Sequence, residues 1–179
     1  MTGSVDITGS LCVNGDCWPF GGGSGSAATA SYISVYDTTD QTLDGALTAS
    51  VMTFNNTDFS NGISLVSSSQ FTLSQGGAYN LAFSAQLDKT TGTKQTAYVW
   101  LRKNDTGDAG NVPDSNSQYA IINSHGGING QMIAAINYVL TLAAGDYLQL
   151  MWQPENTGVY LETIPAGTIP TTPASPGII

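Results

Sequence analysis

Tyr79-Asn80-Leu81-Ala82-Phe83-Ser84-Ala85-Gln86-Leu87-Asp88 puts an apolar side chain at every odd position and a polar or small one at every even position. Successive side chains of a strand point to opposite faces. This stretch therefore has one face to bury and one to leave in water, the pattern of a half-buried antiparallel strand. Shorter runs at 51–54, 63–66 and 70–73 precede it, and runs at 96–102, 118–123, 132–142, 147–153 and 158–164 follow. Asn61-Gly62, Gly76-Gly77, Thr91-Gly92, Gly126-Gly127 and Ala144-Gly145-Asp146 punctuate them as turns. Many short strands at this spacing predict an all-β, two-sheet antiparallel sandwich or jelly roll.

Two runs break the alternation. Residues 132–140 are apolar on both faces, and 97–101 nearly so. A strand apolar on both faces has a second body over it. An oligomer interface is the economical answer, with Tyr98, Val99, Trp100, Ile133, Ile136 and Tyr138 as its candidates. The alternative is a covering loop, for which the long 104–117 segment is available.

The composition excludes several classes. The 179 residues carry 4 Lys+Arg against 13 Asp+Glu, a net charge of −9. Charged residues make up 9% of the chain, against roughly 25% in ordinary soluble domains. Glu occurs at positions 155 and 162 alone. Helical bundles need more charge on their exposed faces. So acidic a chain has no footprint for nucleic acid or for an anionic membrane. No apolar run approaches the ~20 residues of a membrane-spanning helix, and 41% hydrophobic residues are too many for disorder. Met1-Thr2-Gly3-Ser4-Val5-Asp6-Ile7 has neither a basic nor an apolar signal region, so no signal peptide is expected. A polar, Thr/Ser/Asn-rich surface without export points to a virion component assembled in a host cytoplasm.

Four zones follow in order. Residues 1–20 read as a β-hairpin appendage, 21–30 as a Gly/Ser linker, 31–164 as the strand-rich head and 165–179 as a Pro-punctuated tail. In the appendage Asn14-Gly15 is a type I′ turn signal. It sets Val13 opposite Asp16, Cys12 opposite Cys17 and Leu11 opposite Trp18. The cysteine pair is then close enough for a disulfide. A reduced pair packed as small hydrophobes is the alternative, decided by the redox compartment. One hairpin is marginal alone, so its apolar residues Val5, Ile7, Leu11, Val13, Trp18 and Phe20 call for a partner surface. They are the candidate docking or trimerising anchor. The tail, with Pro165, Pro170, Pro173 and Pro176, is too Pro-rich for a helix or a central strand.

Gly77-Ala78-Tyr79-Asn80-Leu81-Ala82-Phe83 resembles the Gly-x-Tyr-x-x-x-Phe strand of the tumour necrosis factor-like and complement globular-head superfamily. Tyr98-Val99-Trp100-Leu101-Arg102-Lys103-Asn104 resembles its hydrophobic strand ending in Lys-Asn. The stretch from Leu140 to Leu150, Leu-Thr-Leu-Ala-Ala-Gly-Asp-Tyr-Leu-Gln-Leu, resembles its Leu-x-Leu-x-x-Gly-Asp-x-Leu-x-Leu hairpin. Order and spacing match over about 31–164. Phage virion proteins carrying this head are more similar still, through 52–58 and 147–152. The resemblance implies a ten-strand jelly roll in a three-fold homotrimer. Such heads finish with a further strand after a Pro-rich stretch. Here the sequence gives only Gly177-Ile178-Ile179, so that strand is either lost or reduced to a stub.

Catalytic chemistry is not legible. His125 is the single histidine, in a loop, with no Gly-x-Ser-x-Gly elbow. Asp105, Asp108 and Asp114 share one loop but match no calcium-loop spacing. They are read as outward-loop contact candidates. Lys89, Lys94, Arg102 and Lys103 fall together and read as hairpin solubilisation or a local positive patch. No cofactor, metal, nucleic acid or membrane partner is expected, nor enzymatic activity. The expectation is a trimeric capsid decoration (cement) protein on the virion surface of a tailed phage. It would be anchored to a major capsid or other virion protein by its N-terminal segment. The alternative is a tail-fibre tip recognising a host surface glycan or protein, ahead of a secreted complement-head-like ligand.

Overall fold

The computed structural model describes residues 10–13, 16–19, 30–43, 45–90, 92–123, 126 and 129–179, the first two stretches as backbone. The chain divides into two units, Met1–Ala30 and Ser31–Ile179. The first holds β1 (Ser10–Val13) and β2 (Asp16–Pro19). They pair antiparallel with Leu11 opposite Trp18, Cys12 opposite Cys17 and Val13 opposite Asp16, the register a two-residue turn imposes. The side chains of Val5, Ile7, Leu11, Val13, Trp18 and Phe20, and the oxidation state of the cysteines, lie outside the described residues.

The second unit begins with β3 (Tyr32–Tyr36), β4 (Ser50–Val51), β5 (Asn56–Asn61), β6 (Ile63–Val66) and β7 (Gln70–Leu73). Then come β8 (Gly77–Lys89), β9 (Gln95–Lys103), a 3-10 turn (Asp108–Gly110) and β10 (Ser117–Ile121). The last strands are β11 (Met132–Leu142), β12 (Tyr147–Pro154), β13 (Val159–Leu161), β14 (Gly167–Thr168) and β15 (Thr171–Thr172). One sheet runs β10-β9-β12-β7-β6, with β4 also on β12. The other is built on β11-β8-β13. Leu161 bridges on to Gln41, and β3, which leads into that segment, pairs with β5.

Alternation along β8 buries Phe83, Ala85 and Leu87, and along β11 it buries Ala134, Tyr138 and Leu142. Phe83, Ala85, Leu87, Ala134 and Tyr138 meet Ala97, Val99 and Leu101 of β9, Leu150 and Trp152 of β12 and Phe71 of β7 in one cluster. An all-β body with two antiparallel sheets sharing a core is compatible with a β-sandwich. Phe54 sets its ring edge on Phe71 at 5.2 Å within it. Trp152 is fully buried, and its Nε1–H has no hydrogen-bond partner, which costs about 1–3 kcal/mol.

The tail departs from its sequence reading. Residues 165–174 are peripheral, but Ile178 is fully buried and bridges Ala85 on one side and Asp37 on the other. Gly177-Ile178-Ile179 is therefore a short strand inside the second sheet. Proline bars 165–176 from such a role, but these three residues contain none. β3 and β5 also went unforeseen. Thr57 to Ser60 are exposed, so no burial alternates there to leave a signal.

The turn between β11 and β12 is locked by Asp146. Its carboxylate accepts from Ala143 N–H (2.8 Å) and Asn104 Nδ2 (2.6 Å) and pairs with Lys103 Nζ (2.7 Å). Asn104 Oδ1 accepts in return from Tyr147 N–H at 2.8 Å. Gly145, at φ +84°, supplies the left-handed residue this tight turn requires. The Lys-Asn and Gly-Asp pairs noted in the sequence are thus one contact.

The Lys103 and Asn104 hydrogen bonds, with that of Ala143, hold the Asp146 carboxyl down at about 2. A carboxylate whose folded value is depressed adds stability above the ordinary range, lost as pH falls through the folded value. Asp146→Asn should lower the melting temperature near neutral pH. The gap to the parent should close as pH drops toward about 2, read from thermal melts by circular dichroism. A gap independent of pH would remove the charge from the explanation.

Candidate functional site

The two strands that read as apolar on both faces have different fates. β9 is covered by the chain itself. Trp100 Nε1–H donates to Asn111 Oδ1 at 2.8 Å, and Arg102 Nε donates to the same oxygen at 3.3 Å. Arg102 Nη1 reaches the Thr106 carbonyl at 2.9 Å. Val112 N–H donates to the Leu101 carbonyl at 2.9 Å, and Leu101 N–H to Ser115 Oγ at 3.0 Å. The loop after β9 thus continues its edge and covers Trp100 and Arg102.

β11 has no such cover among the described residues. Its odd positions Ile133, Ala135, Asn137, Val139 and Thr141 face away from the core. Opposite them on β8 stand Gln86, Ser84, Ala82, Asn80 and Ala78. None of the ten is charged. Ile133 is 63% exposed and Val139 77%. Exposed aliphatics on an uncharged, small-residue sheet face are the usual mark of a contact surface.

The interface candidates therefore separate. Val99 is fully buried in the core, and Ile136 packs half-buried against it. Tyr138 stacks on Phe83 at 6.5 Å and donates its hydroxyl proton to the Ser115 carbonyl at 2.7 Å. These three side chains face the core of the body. Trp100 lies under the loop, and Tyr98 Oη donates to Glu155 at 3.3 Å. Ile133 alone of the six stands on the open face. Val139 was missed, although the same period of two that picks Ile133 also picks it.

The loop carboxylates do not converge. Asp105 accepts from Gly107 N–H at 2.8 Å, Asp108 lies 3.4 Å from the Arg102 guanidinium, and Asp114 is exposed at φ +60°. Among the described residues no group of three or more His, Cys, Asp or Glu is placed to hold a metal ion. His125 lies outside the described residues. The positive patch also dissolves: Lys89 is fully buried with its ammonium on the Thr93 carbonyl, Arg102 is buried and Lys103 is paired with Asp146.

At the Ile133 end the open face runs into a cleft of about 240 Å³ lined by Gln86, Leu87, Gln131, Met132, Ile133 and Glu162. Gln131 Nε2 donates to Asp88 Oδ2 (3.1 Å) and Glu162 Oε2 (2.9 Å). Burial, then the charge of Asp88 and a hydrogen bond to it, push the Glu162 carboxyl up. Tyr160 is pushed up to about 12 by burial and by Asp88, Glu162 and Asp40. This carboxylate pair was not foreseen. Its one sequence signal is that Glu162 is a rare Glu.

No family model matches the chain, and no curated protein matches it.

A carboxyl whose folded value is raised adds stability below its ordinary range, lost as pH rises through the folded value. Glu162→Gln removes that loss. The variant should melt about 1–3 °C above the parent at neutral pH, with the two converging in acid. Melts across the acid-to-neutral range decide it, and a variant less stable at neutral pH would remove the repulsion from the account.

Proposed function

We propose that this chain is a non-enzymatic virion protein whose body is a jelly roll. Three copies associate through the open β8–β11 face, and residues 1–20 anchor the trimer to a tailed-phage capsid as decoration. The observation that carries the reading is that face, with Ile133 and Val139 bare on a charge-free surface. Sheet order supports the jelly roll. The three stretches that resemble the complement-head superfamily fall on β8, on β9 and on the β11–β12 hairpin. The bridges of Ile178 to Ala85 and Asp37 support reading residues 177–179 as a reduced final strand. Three anchors on one trimer turn a weak hairpin contact into a firm one by avidity. Because copies in a coat are numerous, a small anchor suffices.

The tail-fibre reading is favoured by one observation. Tyr32 and Phe59 are both exposed and pack edge to face at 5.8 Å on the β3–β5 strand pair, beside the Ser34–Asp58 hydrogen bond. Exposed rings beside polar groups suit a sugar face. Copy number per particle separates the two readings, since a coat needs many copies and a fibre few.

Two variants test the proposal. Ile133→Asp with Val139→Asp should convert trimer to monomer in light scattering and leave the melting temperature of the body nearly unchanged, since both side chains are already exposed. A persistent trimer sinks the face. Leu11→Asp with Trp18→Asp should abolish attachment to particles while the body stays a folded trimer. Normal attachment would remove the anchor.

A further inference from the structure

Residues 175–179 hold a complete set of recognition contacts. Ser84 and Ile179 exchange N–H···O bonds of 2.9 Å each, and Gln86 N–H donates to the Gly177 carbonyl at 2.8 Å. On the other side Asp37 N–H donates to the Ile178 carbonyl and Gly177 N–H to the Asp37 carbonyl, both at 3.0 Å. Gln86 Nε2 donates to the Pro176 carbonyl at 2.9 Å. Ile178 fills the core between the two pairings.

The segment that leads there is of another kind. Its strands β14 and β15 pair with each other, and the Gly167–Thr172 and Thr171–Thr168 side-chain bonds stay inside that hairpin. Residues 168–174 are exposed, Ile169 by 96%. Tether and strand are linked at the hairpin's base by two backbone bonds, Ile164 N–H to the Ser175 carbonyl at 2.9 Å and Ser175 N–H to the Ile164 carbonyl at 2.8 Å, which a strand donated by another copy re-forms with its own Ser175.

We propose that the slot between β8 and Asp37 is a strand-acceptor site, and that a second copy of this chain fills it with its own residues 175–179. The contacts are the same whichever copy supplies the strand. Exchange therefore costs only the small hairpin and a change in effective concentration. Opened out, residues 165–174 span up to about 33–36 Å, enough to reach a neighbour. An empty slot would leave Ser84, Gln86 and Asp37 backbone groups unpaired between two strands, which drives refilling by the matching segment. The inference does not depend on what the body decorates.

Two experiments on the full chain test it. In the first, a protease site replaces 168–173, the chain is cut after folding, and a fluorescent peptide of residues 173–179 is offered. The labelled peptide should enter and be displaced by unlabelled peptide. A peptide carrying Ile178→Asp should bind at least about tenfold more weakly. Absence of uptake, whether the cut chain stays folded or not, overturns the acceptor site. In the second, isotope-labelled chain is refolded with unlabelled chain carrying a photo-crosslinking side chain at position 179. Crosslinks to the labelled peptide containing Ser84 support exchange between copies, and crosslinks confined to the unlabelled chain overturn it. A monomeric chain would defeat both the trimer reading and exchange between copies, whereas a trimer whose crosslinks stay within the unlabelled chain would defeat exchange alone.

Discussion

The Asp146 carboxylate sits where the ends of several strands come together. β11 belongs to one sheet and β12 to the other, so the turn between them joins the two layers. Asp146 closes that turn through Ala143 and binds the end of β9 through Lys103 and Asn104. Its own carbonyl accepts from Leu73 N–H at 2.9 Å, while Gly145 N–H donates to the Leu73 carbonyl at 2.8 Å, which brings in the end of β7. Four strand ends are thus registered by one acidic side chain and the backbone around it. Register matters because a slip of one residue turns every buried side chain of a strand outward. Leu148, Leu150 and Trp152 are buried in the register that this turn and the β9 ladder share.

From that corner the two layers diverge in how they are finished. The β9 face is closed by its own loop, with Asn111 satisfying Trp100 and Arg102 together. The β8–β11 face stays bare, with Ala, Ser, Asn and Thr at seven of its ten positions. At its Ile133 end the uncharged surface gives way to the Asp88–Glu162 pair, bridged by Gln131. A surface with such a boundary has a direction, with one carboxylate-bearing end and one uncharged end.

Much of the strand plan was legible in the sequence. Residues 63–66, 70–73 and 132–142 were read at the bounds the strands have, because burial alternates there and turn residues flank them. β5 was not legible, since a strand held by backbone pairing at an edge leaves no hydrophobic period. The strand at Gly177-Ile178-Ile179 was reached only through the family resemblance, as one of two alternatives, since it is too short for a period and sits behind four prolines. The open face was half legible. Both β9 and β11 read as doubly apolar, and sequence cannot separate a strand hidden by a loop from one awaiting a partner, because both need the same side chains. Ile133 was found and Val139 missed for want of following the alternation three periods of the pleat further. Asp88 and Glu162 come together only through the sheet.

Taking three of four cations into the fold also shapes how the molecule meets others. With Lys89 and Arg102 inside and Lys103 held by Asp146, Lys94 is the exposed cation among the described residues. The net charge of −9 is therefore carried outward almost without relief. Copies approaching each other feel mutual repulsion over a Debye length, about 8 Å at physiological ionic strength. Added salt weakens that repulsion and leaves apolar contact intact. Assembly of such a chain tightens as ionic strength rises, the opposite of what a binder of polyanions shows. Electrolyte therefore tunes how closely copies approach: free copies stay apart in dilute salt, and concentrated salt lets apolar faces meet.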